Sequence, residues 1–585
     1  MKKSDIFTLN LPAFLRIPLE FILGVKALRI IYKNALSHTV SLYDGIIQTM
    51  NIDIVTNRRE LLKIPKKGSC IVVANHPYGC IEGIALMKTL LSLRNDVKIV
   101  ANDMLACVPE FHDSMIFVDP FENGAGSSVN VKAIKSSIAH LRNGGMIVVF
   151  PAGKVALFSI QKKAVDDKEW HTTFIELALK TKSTIIPTFI HGHNSLLFQI
   201  VGVIYSKLKA GLLLREFINM RNKSVQISFG KPLGEKYLTD ISVRQLTQYV
   251  RDRVYLLKNK AKEVLTDSDF SFTLGEDIVE QVCKNDLREN IKKIKDKLLY
   301  RHAELEVYHA EYHDIPHIMI EIGRLRELSF RLVGEGTGNP IDIDRYDTYY
   351  LHIFIWDNHS EEIVGAYRIG KTHEIIMNQG IQGLYTSELF SLDSRFIKCM
   401  GNSIELGRSF VHPEYQKSYL PMLLLWKGIA SYVVRNPRYR FLFGAVSISN
   451  DFSDFTRALI LSYLEKKHSF SEDIYIRGKN SKEIYSLRQK YSKELDRTDV
   501  KTIDELQDLV TDLEVDGKGI PPLVKHYVKL GGKFAAFSID PMFNYCVDGL
   551  VIVDLLDTET TLLSKYMNEQ VDSYYSYHRD HSSVL

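Results

Sequence analysis

The feature that most constrains the fold is a series of short apolar runs in the first half of the chain. Five runs of strand length recur there: CIVVA (70–74), VKIVA (97–101), MIVVF (146–150), TIIPTFI (184–190) and SVQISF (224–229). Such apolar runs of strand length are typical of buried strands. Stretches of helical length lie between them, at 83–94, 129–145 and 169–183. This alternation predicts an α/β domain with a largely parallel sheet.

A second α/β pattern occupies the other half of the chain. Its predicted strands lie at 303–312, 349–357, 363–370, 403–411, 441–448, 533–539 and 549–556, and its clearest helices at 315–334 and 421–434. Residues 242–300 are charge-rich and helical in pattern, without a strand signal, and 285–300 is predicted as one helix. We therefore predict a segment 1–45, a domain 46–265, a helical linker 266–299 and a second domain 300–585.

Composition excludes several classes of protein. Of the 585 residues, 45% are hydrophobic and 25% charged, as in ordinary globular proteins and unlike disordered or fibrous chains. The net charge of +4 argues against a dedicated nucleic-acid binder. The six cysteines form no C-x-x-C pair, so the sequence predicts neither a metal site nor a disulfide framework.

The segment 1–45 has an amphipathic character. Residues 1–35 carry six cations against two acidic residues, among many Leu, Ile and Phe residues. Such a helix suits an anionic membrane surface, or it packs on the core of the following domain, and both interpretations stay open. No run of about 18 uncharged apolar residues is present, and the first residues do not resemble a signal peptide.

A first candidate site follows the strand 70–74. The sequence Asn-His-Pro-Tyr-Gly-Cys-Ile-Glu-Gly occupies 75–83, before a predicted helix. Side chains at the carboxyl edge of a parallel sheet face the usual ligand crevice. There His76 and Glu82 would form a base and its orienting carboxylate. No Ser or Cys nucleophile motif accompanies them, so a substrate hydroxyl would be the nucleophile.

Three further blocks accompany this one. They read Ile-Phe-Val-Asp-Pro (116–120), Phe-Pro-Ala-Gly-Lys (150–154) and Ile-Pro-Thr-Phe-Ile-His-Gly (186–192). In this order and spacing, residues 55–235 resemble the glycerophosphate and lysophospholipid acyltransferases. The resemblance implies that His76 deprotonates a hydroxyl that attacks an acyl thioester. It also implies substrate-binding positions at Asn75, Phe150, Pro151 and Gly153.

Two departures from that family concern its acceptor. The family pattern His-x4-Asp is here His-x5-Glu, and Ala152 stands where a Glu usually binds the acceptor. This variant is similar to the hemolysin-like branch, whose blocks read NHPxGxxDG and FPAG and whose members are linked to lipids other than ordinary phospholipids. The departures weaken a glycerol-phosphate acceptor more than they weaken acyl transfer.

A second candidate site centres on Glu405-Leu-Gly-Arg408 in a predicted strand. Residues three apart lie on opposite faces of a regular strand, so Glu405 and Arg408 share a site only if a bulge intervenes. The polar residues upstream are Asp342, Asp344, Asp347, His352 and Arg368. Taken singly, the aspartates suit a turn and the Glu–Arg pair suits a surface ion pair.

Together these residues carry a second resemblance. With Leu325-Arg326, Phe330, ELGRSFVHPEY and FGAVSIS, residues 300–560 resemble the N-acyltransferases that make lyso-ornithine lipid, which are relatives of acyl-homoserine-lactone synthases in the GNAT fold. The resemblance implies transfer of a 3-hydroxyacyl chain from acyl carrier protein to the α-amine of an amino acid.

The same resemblance assigns roles to residues. Glu405 would be the base or a water-orienting group, and Arg408 a binding or structural partner of the aspartates. Asp344 and Asp347 would contact the ammonium group of the amino acid. Arg326 and Arg368 are further substrate-binding candidates.

The acyl donor is predicted from the residues that come after this strand. GNAT enzymes that use coenzyme A carry a glycine-containing loop that grips its pyrophosphate. Here residues 416–421 read Gln-Lys-Ser-Tyr-Leu-Pro, without glycine. This favours acyl carrier protein, an acidic partner for the cations Lys417, Lys427, Arg435, Arg438 and Arg440. No cofactor is expected.

Both halves together resemble bifunctional ornithine-lipid synthases. The C-terminal half would form the amide with ornithine, and the N-terminal half would esterify the 3-hydroxyl of the lyso-aminolipid. Two alternatives stay open: glycine, serine or another amino acid as acceptor, and an inactive N-terminal half that only binds membrane. We expect a bacterial protein, peripheral at the cytoplasmic face of the inner membrane, with an anionic membrane surface but no nucleic acid among its partners.

Overall fold

The computed structural model of the chain describes residues 24–37, 41–119, 128–159, 164–204, 209–234, 242–260, 276–470 and 476–581. The chain divides into two compact units, residues 1–260 and 261–585. Both units mix helices with a central sheet, which confirms the predicted pair of α/β domains.

The N-terminal unit is built on a seven-stranded sheet. Its strands, with a separate hairpin of β6 and β7, are β1 (Asp53–Thr56), β2 (Cys70–Ala74), β3 (Val97–Asn102), β4 (Met115–Val118), β5 (Met146–Val149), β6 (Leu157–Ser159), β7 (Ala164–Asp166), β8 (Thr184–Ile190) and β9 (Ser224–Phe229). The order is β1-β9-β8-β2-β5-β3-β4, and β8–β9 is the antiparallel pair among otherwise parallel neighbours. The predicted, largely parallel sheet is confirmed.

Helices cover both faces of this sheet. They are α1 (Val25–Ala35), α2 (Leu42–Thr49), α3 (Arg58–Lys63), α4 (Ile81–Leu91), α5 (Ser128–Arg142), α6 (Thr173–Thr181), α7 (Leu196–Ile204), α8 (Lys209–Asn219) and α9 (Val243–Leu256). Successive side chains of β2 point to opposite faces. Val72 therefore joins the core beneath α1, α2 and α4, whereas Ile71 and Val73 join the core beneath α5, α6 and α9.

The helix α1 lies within the predicted amphipathic segment 1–45. Residues 1–23 lie outside the described residues. In α1, Ile31, Tyr32 and Ala35 are buried in the core of the N-terminal unit. This helix follows the packing interpretation of the segment, with its apolar side directed at the protein.

The C-terminal unit is built on an eight-stranded sheet with a separate two-stranded pair, β14 and β17. Its strands are β10 (Leu298–His302), β11 (Leu305–Glu311), β12 (Leu351–Asp357), β13 (Glu362–Lys371), β14 (Phe390–Ser391), β15 (Ser403–Val411), β16 (Phe441–Ile448), β17 (Arg477–Gly478), β18 (Lys533–Asp540) and β19 (Cys546–Asp554). The order of the large sheet is β10-β11-β12-β13-β15-β16-β19-β18. Its neighbours are antiparallel except for the parallel pair β15–β16.

The helices of this unit pack on both faces of the sheet or extend beyond it. They are α10 (Lys284–Lys293), α11 (Pro316–Arg331), α12 (Thr372–Gln379), α13 (Thr386–Leu389), α14 (Ser394–Met400), α15 (Leu420–Arg435), α16 (Asp454–Lys467), α17 (Lys482–Lys490), α18 (Ser492–Arg497), α19 (Ile503–Leu513), α20 (Pro522–Lys529), α21 (Thr560–Met567) and α22 (Val571–Asp580).

The stretch 266–299 differs from the prediction of a helical linker. Its described part belongs to the C-terminal unit, where Leu287 and Ile291 of α10 lie in the core. The single helix predicted over 285–300 is wrong, because α10 ends at Lys293 and Leu298–His302 forms the edge strand β10. This stretch is rich in charged residues and the strand is only partly buried, so no apolar run distinguishes the strand from the helix before it.

Candidate active sites

The first site lies at the carboxyl edge of the N-terminal sheet. The strand β2 is parallel to both of its neighbours, β8 and β5, so the carboxyl ends of all three meet at one edge. The residues after β2 begin with Asn75 and His76, those after β5 with Phe150 and Pro151, and His191 follows β8. Three of the four predicted blocks are thereby brought together.

His76 and Glu82 form the predicted pair despite their altered spacing. The Nδ1 atom of His76 lies 2.9 Å from Oε1 of Glu82. Glu82 is in the first turn of α4 and fully buried, and it accepts backbone hydrogen bonds from the N–H groups of Tyr78, Gly79 and Cys80 at 2.6–2.9 Å. The longer glutamate side chain thus spans the extra residue of His-x5-Glu.

The environment keeps Glu82 ionised. Burial alone would raise the pKa of Glu82, but the neighbouring His76 and the backbone N–H of Gly79 outweigh burial and lower that pKa. A carboxylate held beside Nδ1 favours the tautomer whose Nε2 is free to accept a proton. This arrangement suits a general base.

The block after β5 forms one wall beside the histidine. The ring of Phe150 stacks on the imidazole of His76, with centroids 4.5 Å apart. Pro151 accepts a hydrogen bond through its carbonyl from the N–H of His171 at 3.0 Å. Gly153 has a φ of +60°, a conformation that favours glycine, and it is exposed next to buried Ala152. Their binding roles stay predictions.

Asn75 and Asp167 hold the loop that carries His76. The amide of Asn75 donates to the carbonyl of Ile190 at 2.9 Å and accepts from its N–H at 2.7 Å, so it clamps the end of β8. Contact of Asn75 with substrate stays a prediction. Sequence reasoning missed Asp167, a buried carboxylate that accepts from the His76 backbone N–H at 3.3 Å and from Trp170 at 3.0 Å. No motif marks it.

The second site depends on a bulge in β15. Gly407 pairs with Arg368 and Phe410 pairs with Ala366, so two residues of β15 face one residue of β13. Arg408 takes a φ of +48° at this point, in the left-handed region. Its guanidinium contacts the ring of Tyr385, whose backbone N–H donates to Glu405. The bulge therefore brings Glu405 and Arg408 to one site.

A buried ion pair forms the base of this site. The guanidinium of Arg326 donates to both carboxylate oxygens of Asp347 at 2.8–2.9 Å, and both side chains are fully buried. Burial alone would raise the pKa of Asp347, but Arg326 outweighs it and holds that pKa well below its usual range. Because its oxygens are taken up by Arg326 and by the N–H of Asp344 at 2.8 Å, Asp347 is placed to organise the site. Its contact with an ammonium group stays a prediction.

Asp344 is the more accessible aspartate. Its side chain is 25% exposed, and it pairs with Arg368 at 2.5 Å and with Arg408 at 3.4 Å. Asp342 lies 3.5 Å from Arg408 and from Arg326. The Nε and one Nη atom of buried Arg368 have no hydrogen-bond partner among the described residues. Those atoms are suited to a ligand carboxylate.

Glu405 is buried at the centre of the site. It accepts from the hydroxyl of Tyr350, from the N–H of Thr386 at 2.6 Å and from the N–H of Tyr385 at 3.3 Å. These donors hold the carboxylate in a fixed orientation. Burial raises the pKa of Glu405 and outweighs these hydrogen bonds. Sequence reasoning missed Tyr350, Tyr385 and Thr386, which come from segments without a motif.

The registered pairing of β15 with β16 ends at Glu405. The two strands pair over Ser403–Glu405 and Phe441–Phe443, although both continue for several residues beyond that point. A side chain added at Gly407 would meet no atom within 4 Å. Space is therefore open beside Gly407, which lies between Glu405 and Arg408 in the strand.

Three further carboxyl groups were not predicted. Glu335, Asp540 and Asp548 are each at most 9% exposed and lie near Arg408 or one another. Burial raises the pKa of Glu335 to about 7, and burial with the neighbouring acids raises that of Asp548 well above its usual value. None of the three forms an ion pair with a Lys or Arg among the described residues.

Two further properties bear on both sites. Among the described residues, no set of three or more His, Cys, Asp or Glu side chains is arranged to hold a metal ion. In the same part of the chain, no helix combines the length and apolar character needed to cross a bilayer.

Comparison with known families agrees with the two units. Residues 44–263 match an acyltransferase family, and residues 325–426 match the acetyltransferase (GNAT) domain family. The first match contains His76 and Glu82, and the second contains Arg326, Arg368 and Glu405.

Curated relatives match each part separately. A glycine N(alpha)-acyltransferase from Bacteroides thetaiotaomicron is 31% identical over 45% of this chain and 80% of its own length. A lyso-glycine lipid O-acyltransferase from Phocaeicola vulgatus is 27% identical over 35% of this chain and 74% of its own length. An L-ornithine N(alpha)-acyltransferase from Agrobacterium fabrum is 27% identical over 42% of this chain and 78% of its own length.

Proposed function

The chain belongs to the amino-acid N-acyltransferase family, with a GNAT domain in its C-terminal unit and an acyltransferase domain before it, and we propose that the two units act in succession to build an aminolipid. The C-terminal unit acylates the α-amine of an amino acid with a 3-hydroxyacyl chain. The N-terminal unit then acylates the 3-hydroxyl of that lyso-lipid. The observation that carries the proposal is that one chain holds both the His76–Glu82 pair and, in the other unit, a buried Glu405 in the same site as the Asp344–Arg408 pair.

Amide formation requires an uncharged amine and a polarised thioester. Glu405 is a buried carboxyl group whose pKa burial raises, which suits removal of a proton from the substrate ammonium. The amine attacks the thioester carbonyl, the C–N bond forms, and the C–S bond breaks with release of the thiol. Arg368, with unpartnered donors in the buried site, is suited to the carboxylate of the amino acid.

The acyl donor is proposed to be acyl carrier protein. In GNAT enzymes the pyrophosphate of coenzyme A is bound at the N-terminus of the helix after the central strand. Here that helix is α15, where the N–H of Leu420 donates to the hydroxyl of Ser418 at 3.1 Å and Pro421 has no N–H. The helix end therefore offers few donors to a pyrophosphate, whereas the pantetheine of acyl carrier protein needs none.

The amino acid is proposed to be ornithine. Seven carboxyl groups occupy the site and its surroundings against three guanidinium groups; the carboxyl groups are those of Glu335, Asp342, Asp344, Asp347, Glu405, Asp540 and Asp548. Burial raises the pKa values of Glu335, Asp540 and Asp548, which form no ion pair with a Lys or Arg among the described residues, and the second ammonium of a diamino acid would favour their ionised forms. Glycine is the second candidate, because the chain is similar in sequence to a glycine N(alpha)-acyltransferase.

Ester formation follows at the N-terminal site. Nε2 of His76 takes the proton of the 3-hydroxyl as its oxygen attacks a second thioester, and Glu82 stabilises the resulting imidazolium. The proton then passes to the leaving thiolate. Because the substrate already carries one long chain, we propose that this step occurs at a membrane surface, the cytoplasmic face of the inner membrane.

Lipid analysis of a host that lacks aminolipids and expresses the full chain tests the proposal. Mass spectrometry should reveal a phosphorus-free lipid with one amide-linked and one ester-linked chain on ornithine. A glycine head group would support the second candidate. A mono-acylated product alone would assign the N-terminal unit to membrane binding without O-acylation.

A further inference from the structure

The N-terminal unit carries an exposed apolar surface on α7. Leu196, Leu197 and Ile200 are 76%, 45% and 58% exposed, and at 100° per residue they share one side of the helix. The N–H of Phe158 in β6 donates to Gln199 of α7 at 2.8 Å, which places the 44% exposed Phe158 next to them. We call Phe158, Leu196, Leu197 and Ile200 the α7 patch.

The α7 patch adjoins the site of ester formation. The amide of Asn194, two residues before α7, donates to the carbonyl of Tyr78 in the His76 loop at 3.0 Å. Leu213 of α8 lies against Gly79 of the same loop, and Ser195 donates to Glu216 of α8 through both its N–H and its hydroxyl. Hydrogen bonds and packing therefore connect α7 and α8 directly to the loop that carries the base.

The charges around the patch are suited to one kind of partner. No charged residue occurs from Leu196 to Ile204. The exposed residues Lys154, in the block after β5, and Arg215, on α8, form no ion pair among the described residues. An apolar face with cations on neighbouring elements matches an anionic bilayer, in which apolar side chains enter the acyl region and cations meet the head groups.

We propose that the α7 patch is the surface through which the N-terminal unit inserts into an anionic phospholipid bilayer. The inference rests on the proposed O-acylation, whose substrate is held in the bilayer by its acyl chain. The patch presents the His76 loop to that chain's hydroxyl. In α1, by comparison, Ile31, Tyr32 and Ala35 are buried in the protein core, and Ile30 is 52% exposed.

Vesicle flotation of the full chain tests this surface. A triple variant combines Leu196→Gln, Leu197→Gln and Ile200→Gln. Glutamine has a high helix propensity, and the substitutions change only exposed side chains. Its binding to phosphatidylcholine vesicles with phosphatidylglycerol should fall by roughly tenfold for each residue that inserts. Arg215→Glu should weaken binding to the anionic vesicles but not to phosphatidylcholine alone. The matched control is Leu62→Gln, which changes a 69% exposed leucine on α3 and should bind as the wild type does.

Activity separates failure of this surface from failure of the proposed function. The triple variant should retain O-acylation of a short-chain, water-soluble lyso-aminolipid and lose it with a long-chain substrate in vesicles. The inference is overturned if the triple variant floats as the wild type does. It is overturned in the same way if the substitutions dissociate a wild-type dimer and leave flotation unchanged. If the wild type acylates neither substrate, the proposed O-acylation fails while flotation still decides on the surface.

Discussion

The spacing of His76 and Glu82 predicts an unusual sensitivity to side-chain length. In Glu82→Asp the carboxylate retracts by about 1.5 Å, one carbon–carbon bond. The separation from Nδ1 of His76, now 2.9 Å, would then exceed about 4 Å, beyond hydrogen-bond reach. We therefore expect the chemically conservative aspartate to impair O-acylation although it keeps the charge, and Glu82→Gln to impair it more, because the loop is built for the longer side chain.

The magnitude follows from the geometry. Opposite unit charges 2.9 Å apart attract by about 6 kcal/mol at an effective dielectric constant of about 20. In Glu82→Asp the charge stays at about 4.4 Å, where the attraction is about 4 kcal/mol, so if half of the difference acts in the transition state the loss is about 1 kcal/mol, roughly fivefold in rate. In Glu82→Gln half of the whole attraction is lost, about 3 kcal/mol, which corresponds to roughly a hundredfold in rate. This lies within the usual contribution of a general base, about 10²–10⁴-fold.

The assay measures both reactions on one chain. O-acylation of a supplied lyso-aminolipid should fall roughly fivefold in Glu82→Asp and roughly a hundredfold in Glu82→Gln, while N-acylation by the other unit stays at the wild-type rate and controls for protein quality. Glu169→Asp, a change of the same size at an 85% exposed glutamate of the same unit, should alter neither reaction. A Glu82→Asp protein with the wild-type O-acylation rate would refute the reasoning.

Three further predictions concern the C-terminal unit. Burial raises the pKa of Glu405, so on acidification N-acylation should be lost at a pH above the ordinary glutamate pKa of about 4.3. The measurement is the pH profile of kcat, and an acid limb at or below that value would count against Glu405 as the base. Arg326→Met leaves buried Asp347 without its partner and should lower the free energy of unfolding in urea by about 3–5 kcal/mol, whereas a loss within about 1 kcal/mol would contradict the structural role. Purified full chain should turn over a 3-hydroxyacyl chain faster on acyl carrier protein than on coenzyme A, and the reverse order would overturn the argument from Leu420 and Pro421.

The strands that the sequence revealed best are those buried on both faces. The runs 70–74 and 184–190 match β2 and β8 residue for residue, because a largely apolar run has few other stable environments, and the alternating run 224–229 matches β9. In contrast, β1 (DIVT) and the hairpin β6–β7 are short and partly exposed, and they carry no such pattern. The edge strand β10 directly follows a charged helix, and the sequence predicts one continuous helix over both elements.

The candidate sites were predictable where one motif holds the whole arrangement. His76 and Glu82 lie on one loop, so their pairing followed from the sequence. Whether Glu405 and Arg408 share a face depended on a bulge, and an arginine with φ of +48° has no sequence signal, since such a conformation is uncommon outside glycine. The donors from Tyr350 and Thr386 to Glu405 come together only through the tertiary fold.

The most direct test of the account is to inactivate each site separately in the full chain. With ornithine and 3-hydroxyacyl and acyl thioesters of acyl carrier protein, His76→Ala should accumulate the mono-acylated lyso-lipid and form no diacylated product. Glu405→Gln should form neither, yet should produce the diacylated lipid when the lyso-lipid is supplied. Two sites acting in succession predict this crossed result. A His76→Ala protein that makes the diacylated lipid at the wild-type rate, or a Glu405→Gln protein that acylates free ornithine normally, would contradict it.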